Sequence, residues 1–121
     1  MSEEKRILLV EDDPLVHDLL MRLLRSKGYM IDVVDTAAGA VAFLDCFGYA
    51  LVITDWQLPD GDGLLIADAA AERGSKTFVI SGYLPQMPRY RAEQHQAMMK
   101  PFLPPAIVAA VERSIGKAGV A

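Results

Sequence analysis

Short apolar runs alternate with amphipathic stretches along this chain, and each has a readable period. Ile7-Leu8-Leu9-Val10 is continuously apolar, as expected of a strand covered on both faces. Val16, Leu19, Leu20, Leu23 and Leu24 then recur at helical spacing, with His17, Asp18, Arg22 and Arg25 on the opposite side. Asp13 can cap that helix, Pro14 suits its first position and Gly28 its exit. Met30 to Val34 predicts a second strand. Ala37 to Phe47 predicts a helix burying Ala40, Phe43, Leu44 and Phe47, ended by Gly48. Leu51 to Thr54 predicts the third strand, and the Ala-rich stretch from Gly63 to Arg73 a third helix stopped by Gly74. Thr77 to Ser81 predicts a fourth strand and Ala97 to Met99 a short fifth. Ile107, Val108, Val111 and Ile115 mark a last helix. This alternation predicts an α/β fold on a parallel sheet.

One segment breaks the pattern. Between Gly82 and Gln96, Pro85 and Pro88 and a lack of apolar periodicity argue against a full helix. A short helix, a loop or a mobile segment all stay open there, and Tyr83 to His95, least tied down by apolar periodicity, is the part expected to move.

At 121 residues the chain has room for one domain, expected to span 1–121 with a core of about 5–116. A hydrophobic share of 52% and a charged share of 23% are ordinary for a soluble globular protein. The net charge of −4 argues against a nucleic-acid-binding face. No apolar run approaches the roughly 20 residues needed to span a bilayer. Met1-Ser2-Glu3-Glu4-Lys5-Arg6 lacks the apolar core of a signal peptide. A single cysteine, Cys46, cannot form an internal disulfide, so a cytoplasmic location is expected, with Cys46 as a small core residue.

The candidate chemistry lies at the strand tips. Right-handed strand–helix–strand connections bring the C-terminal ends of all strands to one edge of the sheet, where open α/β sheets bind their ligands. Glu11, Asp12, Asp55, Ser81 and Lys100 all fall at or just beyond such ends. Carboxylates crowded together repel unless a cation compensates, and hard oxygen ligands suit Mg²⁺. Asp55 could then act as nucleophile toward a phosphoryl group, with Lys100 and the Ser81 hydroxyl on the phosphoryl oxygens. Each residue also has a plain structural role open to it. Asp13 reads as a helix cap, and Asp60 and Asp62 as turn and cap residues in Pro59-Asp60-Gly61-Asp62-Gly63. His17 and His95 have no metal-ligand spacing and read as surface residues. The joint placement at sheet tips favours the functional reading.

Four segments in order carry a family resemblance: Ile7-Leu8-Leu9-Val10-Glu11-Asp12-Asp13, then Ile53-Thr54-Asp55 with Leu58-Pro59-Asp60-Gly61-Asp62-Gly63, then Val79-Ile80-Ser81-Gly82, and finally Lys100-Pro101-Phe102. Together they resemble the receiver domain of two-component response regulators, from about Lys5 to Ile115. The resemblance implies a flavodoxin-like, doubly wound, five-stranded parallel sheet in 2-1-3-4-5 order, with a short or irregular fourth helix. It makes Asp55 the phosphoacceptor, supplied by a sensor histidine kinase or a histidine phosphotransfer protein. It assigns Mg²⁺ to Asp12 and Asp55 directly, to Glu11 through water and to the Gln57 backbone carbonyl. Ser81 corresponds to the switch hydroxyl and Lys100 to the family lysine, aimed by a cis Lys100–Pro101 peptide.

The sequence departs from the family pattern in places. An aromatic switch residue is common three positions before the lysine, and here that position is Ala97. Ser81-Gly82-Tyr83 and the irregular segment after it look similar to alphaproteobacterial single-domain receivers with a Thr-Gly-Tyr motif. No effector domain follows Ala121, so the expectation is a stand-alone receiver, with an initial Met1 compatible with a complete gene product. It would gain and lose its own phosphoryl group rather than turn over substrate. An output protein would be its partner, and it would be a monomer or a phosphorylation-dependent dimer, without nucleic acid or membrane. The alternatives are a phosphate sink or relay, and a docking module with a vestigial site. A haloacid-dehalogenase-like phosphatase is disfavoured, because Gln57 stands where such enzymes need a second Asp. Trp56, beside Asp55, is expected to report Mg²⁺ or phosphorylation by fluorescence.

Overall fold

In this computed structural model, residues 5–82 and 94–118 are described. The elements run β1 (Arg6–Val10), α1 (Pro14–Ser26), β2 (Met30–Val34), α2 (Ala37–Cys46), β3 (Leu51–Asp55), β4 (Gln57–Leu58), β5 (Gly61–Asp62), α3 (Gly63–Glu72), β6 (Lys76–Ser81), β7 (Gln96–Met99) and α4 (Pro104–Ile115). The main sheet is five-stranded and parallel, ordered β2-β1-β3-β6-β7. With the β4–β5 hairpin set aside, that is the 2-1-3-4-5 order expected for a flavodoxin-like fold.

The continuous apolar runs follow from burial on both faces. In β1, Ile7 and Leu9 join Leu20, Leu24, Ile53, Phe78, Ile107 and Val111 on one side. Leu8 and Val10 join Ala40, Leu44, Val52, Ile66 and Ala70 on the other. Side chains alternate across a strand, so both parities must be apolar where helices cover both faces. Each fully buried Leu or Ile contributes about 1.5–3 kcal/mol, and β1 and β3 supply Ile7, Leu8, Leu9, Leu51 and Ile53.

Helix starts match the capping residues. The Asp13 carboxylate accepts from Leu15 N at 3.0 Å, and Pro14 occupies the first turn of α1. Asp62 likewise caps α3 by accepting from Leu64 N at 2.8 Å. Gly28 and Gly74 adopt positive φ at the exits of α1 and α3.

Several positions differ from the sequence reading. Phe47 is not a core residue: it is the C-cap of α2 and 42% exposed. Its ring lies under the Arg6 guanidinium at 4.5 Å, which explains an aromatic residue at the surface. Cys46 is exposed, because the buried stripe of α2 is Ala40 and Leu44 and the last turn rotates Cys46 away. Leu19 is half exposed, since Leu20 and Leu24 carry the buried contact of α1. The Pro59-Asp60 turn connects a short antiparallel hairpin, with Gln57 opposite Asp62 and Leu58 opposite Gly61. His95, expected at the surface, is buried: its ring contacts Thr77 Oγ1 through Nδ1 at 2.5 Å and Asp68 Oδ1 through Nε2 at 2.7 Å. That bridge ties the residue before β7 to β6 and α3. His17 is half-buried. The expected fourth helix and most of the Tyr83-to-His95 segment expected to move, residues 83–93, lie outside the described residues, while its last residue, His95, is held in place as above.

Candidate functional site

The C-terminal ends of β1, β3, β6 and β7 meet at one edge of the sheet, and strand pairing brings their residues together. Glu11 follows β1 and continues its ladder, its N–H donating to Val34 O at 3.0 Å. The Glu11 side chain is almost fully buried, and its Oε2 accepts from Asp13 N at 3.1 Å. Asp12 is exposed at the rim. Asp55 ends β3 in register with Ile80. Ser81 is buried at the end of β6 and its carbonyl accepts from Lys100 N at 2.8 Å. The Lys100–Pro101 peptide is cis.

Lys100 crosses from the far strand to the acids. Its Nζ lies 2.7 Å from Glu11 Oε1 and 3.1 Å from Asp55 Oδ2. Burial raises the Glu11 pKa, helped by the Asp55 charge and opposed by Lys100 and the Asp13 amide. For Lys100, burial alone would lower the pKa, but contact with Glu11 and the charge of Asp55 outweigh it and raise it. The pocket therefore holds more acid than one ammonium neutralises.

That imbalance suits a small divalent cation. Glu11, Asp12 and Asp55 can each offer one oxygen, all within 4.8 Å of one another. Glu11 Oε1 is buried and accepts no well-directed hydrogen bond, although Lys100 Nζ is within ion-pair range. A carboxylate oxygen has two lone pairs, so this contact leaves one available. Hard carboxylate oxygens with room for water are the donor set Mg²⁺ prefers.

The backbone after Asp55 is built to a close tolerance. Trp56 N donates to Ile80 O at 2.8 Å, and Gly63 N donates to Trp56 O at 2.6 Å. A Cβ on Gly63 would lie 1.9 Å from Asp55 O, so only glycine lets α3 start this near the acid. Gln57 is exposed in β4. Ala97 is exposed on β7, paired in register with Val79.

The structure thus brings Glu11, Asp12, Asp55 and Lys100 together, with Ser81 and Gln57 on the adjoining strand end and hairpin. Asp13, Asp60 and Asp62 cap helices, as the sequence suggests for Asp13 and Asp62. The Asp60 contact was missed: its carboxylate reaches back to the start of α2. A turn carboxylate beside Pro59 gives no local signal of a partner 22 residues upstream.

A response regulator receiver domain model matches residues 7–112. The transcriptional regulatory protein PmrA of Pectobacterium parmentieri is 43% identical over 61 residues, covering 50% of this chain and 28% of that protein. The response regulator receiver protein CpdR of Brucella abortus is 37% identical over 68 residues, covering 56% of this chain and 57% of that one. In each case the match spans well under two thirds of the relative. Among solved structures, a CheY-like receiver domain from Methanospirillum hungatei superposes with a TM-score of 0.87 at 24% identity, covering 93% of this chain and 94% of that one, a likeness of fold. The response regulator TrrA of Thermotoga maritima, solved in complex with Mg²⁺-BeF, gives 0.81 at 26% identity over 90% of this chain and 97% of that one.

Proposed function

The chain belongs to the response regulator receiver family, and we propose that Asp55 is its phosphoacceptor, with Mg²⁺ held by Glu11, Asp12, Asp55 and the Gln57 carbonyl. An Asp55 carboxylate oxygen attacks phosphorus of a phosphohistidine on a kinase or phosphotransfer protein. The P–O bond to Asp55 forms as the P–N bond breaks, and the electron pair stays on the imidazole nitrogen. When bound, Mg²⁺ supplies charge neutralisation for the phosphoryl oxygens. Lys100 exchanges part of its contact with Glu11 for the transferred group, and the Ser81 hydroxyl donates to another phosphoryl oxygen.

The observation that carries this reading is the Lys100 ammonium set between Asp55 and a buried Glu11, at 3.1 Å and 2.7 Å from their oxygens. The product is a signalling state rather than a released molecule, so the domain turns over no substrate beyond its own phosphoryl group. A phosphorylation-dependent output partner in the cytoplasm completes the proposal, with the chain as one receiver unit over 1–121. Intact-mass measurement after incubation with acetyl phosphate and Mg²⁺ tests it. Wild type should gain one phosphoryl group, dependent on Mg²⁺, and Asp55→Asn should not. Equal labelling of both, or of neither when a competent kinase is also supplied, would overturn it.

A further inference from the structure

The hairpin that follows Asp55 is fastened at both ends. At its root, Gly63 N bonds Trp56 O and α3 begins in contact with the Asp55 backbone. At its tip, the Asp60 carboxylate accepts from Ala37 N through Oδ1 at 2.6 Å and from Ala38 N through Oδ2 at 3.0 Å. Thr36 Oγ1 accepts from Gly39 N at 3.0 Å. The first three amides of α2, left without intrahelical partners, are thereby all satisfied. Thr36 serves one of them from its own helix, and Asp60 serves two from the hairpin.

Other contacts show that the tip is seated. A Cβ on Gly61 would lie 3.1 Å from Ala37 Cβ, so the hairpin backbone packs directly on the first residue of α2. Leu58, on the strand leading to the tip, is buried with Ala40 and Leu44 of α2. The two amides also hold the Asp60 carboxyl below the usual carboxylate range. Between the fastened tip and the fastened root lies Gln57, paired in register with Asp62.

We propose that Asp60 is a positioning residue for the acceptor site: it anchors the β4–β5 hairpin to the N-terminus of α2 and so holds the Gln57 carbonyl where the metal needs it. This inference rests on the phosphoacceptor reading above. It makes α2 part of the site's support although none of its residues is a proposed ligand. A residue acting through a ligand's support should tune metal affinity more than it tunes the fold.

Mg²⁺ titration of the full chain, followed by Trp56 fluorescence and separately by the rise in unfolding temperature, tests this. Asp60→Ala should weaken Mg²⁺ binding by about 10-fold or more. Asp60→Asn, which keeps one acceptor oxygen, should recover part of that loss. Thr36→Ala is the control, because it uncaps the same helix without touching the hairpin, and it should leave Mg²⁺ affinity at the wild-type value. Wild-type affinity in Asp60→Ala overturns the proposal. So does an equal loss in Thr36→Ala, which would make the effect one of helix stability alone. If wild type itself binds no Mg²⁺ by either readout, the phosphoacceptor reading fails first and takes this inference with it.

Discussion

Gly63→Ala places a methyl group where the structure has no room for one. The new Cβ would sit 1.9 Å from Asp55 O, 2.8 Å from its carbonyl carbon and 3.0 Å from Thr54 Oγ1. None of these atoms can move freely: Asp55 is paired to β6, and Thr54 is fully buried. Relief requires α3 and β3 to separate by roughly 1 Å or more to reach a normal contact distance. That movement strains the 2.6 Å bond from Gly63 N to Trp56 O. Overpacking costs about 1–3 kcal/mol and a weakened backbone bond about 1 kcal/mol. The helix propensity gained by replacing glycine returns up to about 1 kcal/mol. The net loss is then about 1–3 kcal/mol, a large part of a total stability of roughly 5–15 kcal/mol. The same displacement misplaces Asp55, the proposed acceptor, and a 1 Å error costs on the order of 10²-fold in rate. Urea denaturation should give a lower midpoint, and labelling by acetyl phosphate well below the transition should be slower by that factor. Gly48→Ala is the control, since a Cβ there meets nothing within 4 Å. A Gly63→Ala protein that unfolds and labels like wild type would refute the packing argument.

Other consequences can be checked independently. Glu11 has a raised pKa because it is buried, so its stabilising contribution is full below its unfolded pKa and is lost as pH rises through the folded value. Glu11→Gln should therefore stabilise the metal-free protein at neutral pH and weaken Mg²⁺ binding, the stability gain fading in acid; a metal-free midpoint below wild type would contradict this. Asp60 has the opposite sign: its pKa is lowered by the Ala37 and Ala38 amides. Its contribution is present above the unfolded pKa and disappears as pH falls through the folded one, so wild type and Asp60→Asn should converge in acid denaturation profiles. A pH-independent difference between them would argue against the carboxylate cap. His95→Ala removes a ring that is 1% exposed and bonded to Thr77 and Asp68. It should cost about 2–4 kcal/mol in urea denaturation, whereas a surface histidine would cost within about 0.5 kcal/mol.

Much of this fold was legible because both faces of the sheet are covered, which writes each strand as an unbroken apolar run. Helix starts were legible where the cap is local, as at Asp13 and Asp62. What escaped the sequence depends on contacts between distant segments. Phe47 has core-like helical spacing, yet its partner is Arg6, distant in sequence on β1. His95 sits in a segment without periodicity, and the groups that bury it, Thr77 and Asp68, are 18 and 27 residues away. The site followed the same division. Glu11, Asp12, Asp55, Ser81 and Lys100 were legible as strand-tip residues, since topology alone brings those tips together. The tether from Asp60 to α2 was not, because nothing local distinguishes a turn carboxylate from a remote helix cap. Ala97 poses a different matter: it lies exposed on β7 with no ring to bury, so the proposed phosphoryl signal at Asp55 has no aromatic side chain at this position to turn.

The proposed function requires that the Asp55 carboxylate, and no other, takes the phosphoryl group. Labelling with acetyl phosphate and Mg²⁺, followed by borohydride reduction, converts an aspartyl phosphate to homoserine that peptide mass spectrometry can place. Homoserine is expected at position 55, and none there when Mg²⁺ is omitted. Homoserine at position 12 or 13 instead, or a phosphorylated chain with none at position 55, would contradict it.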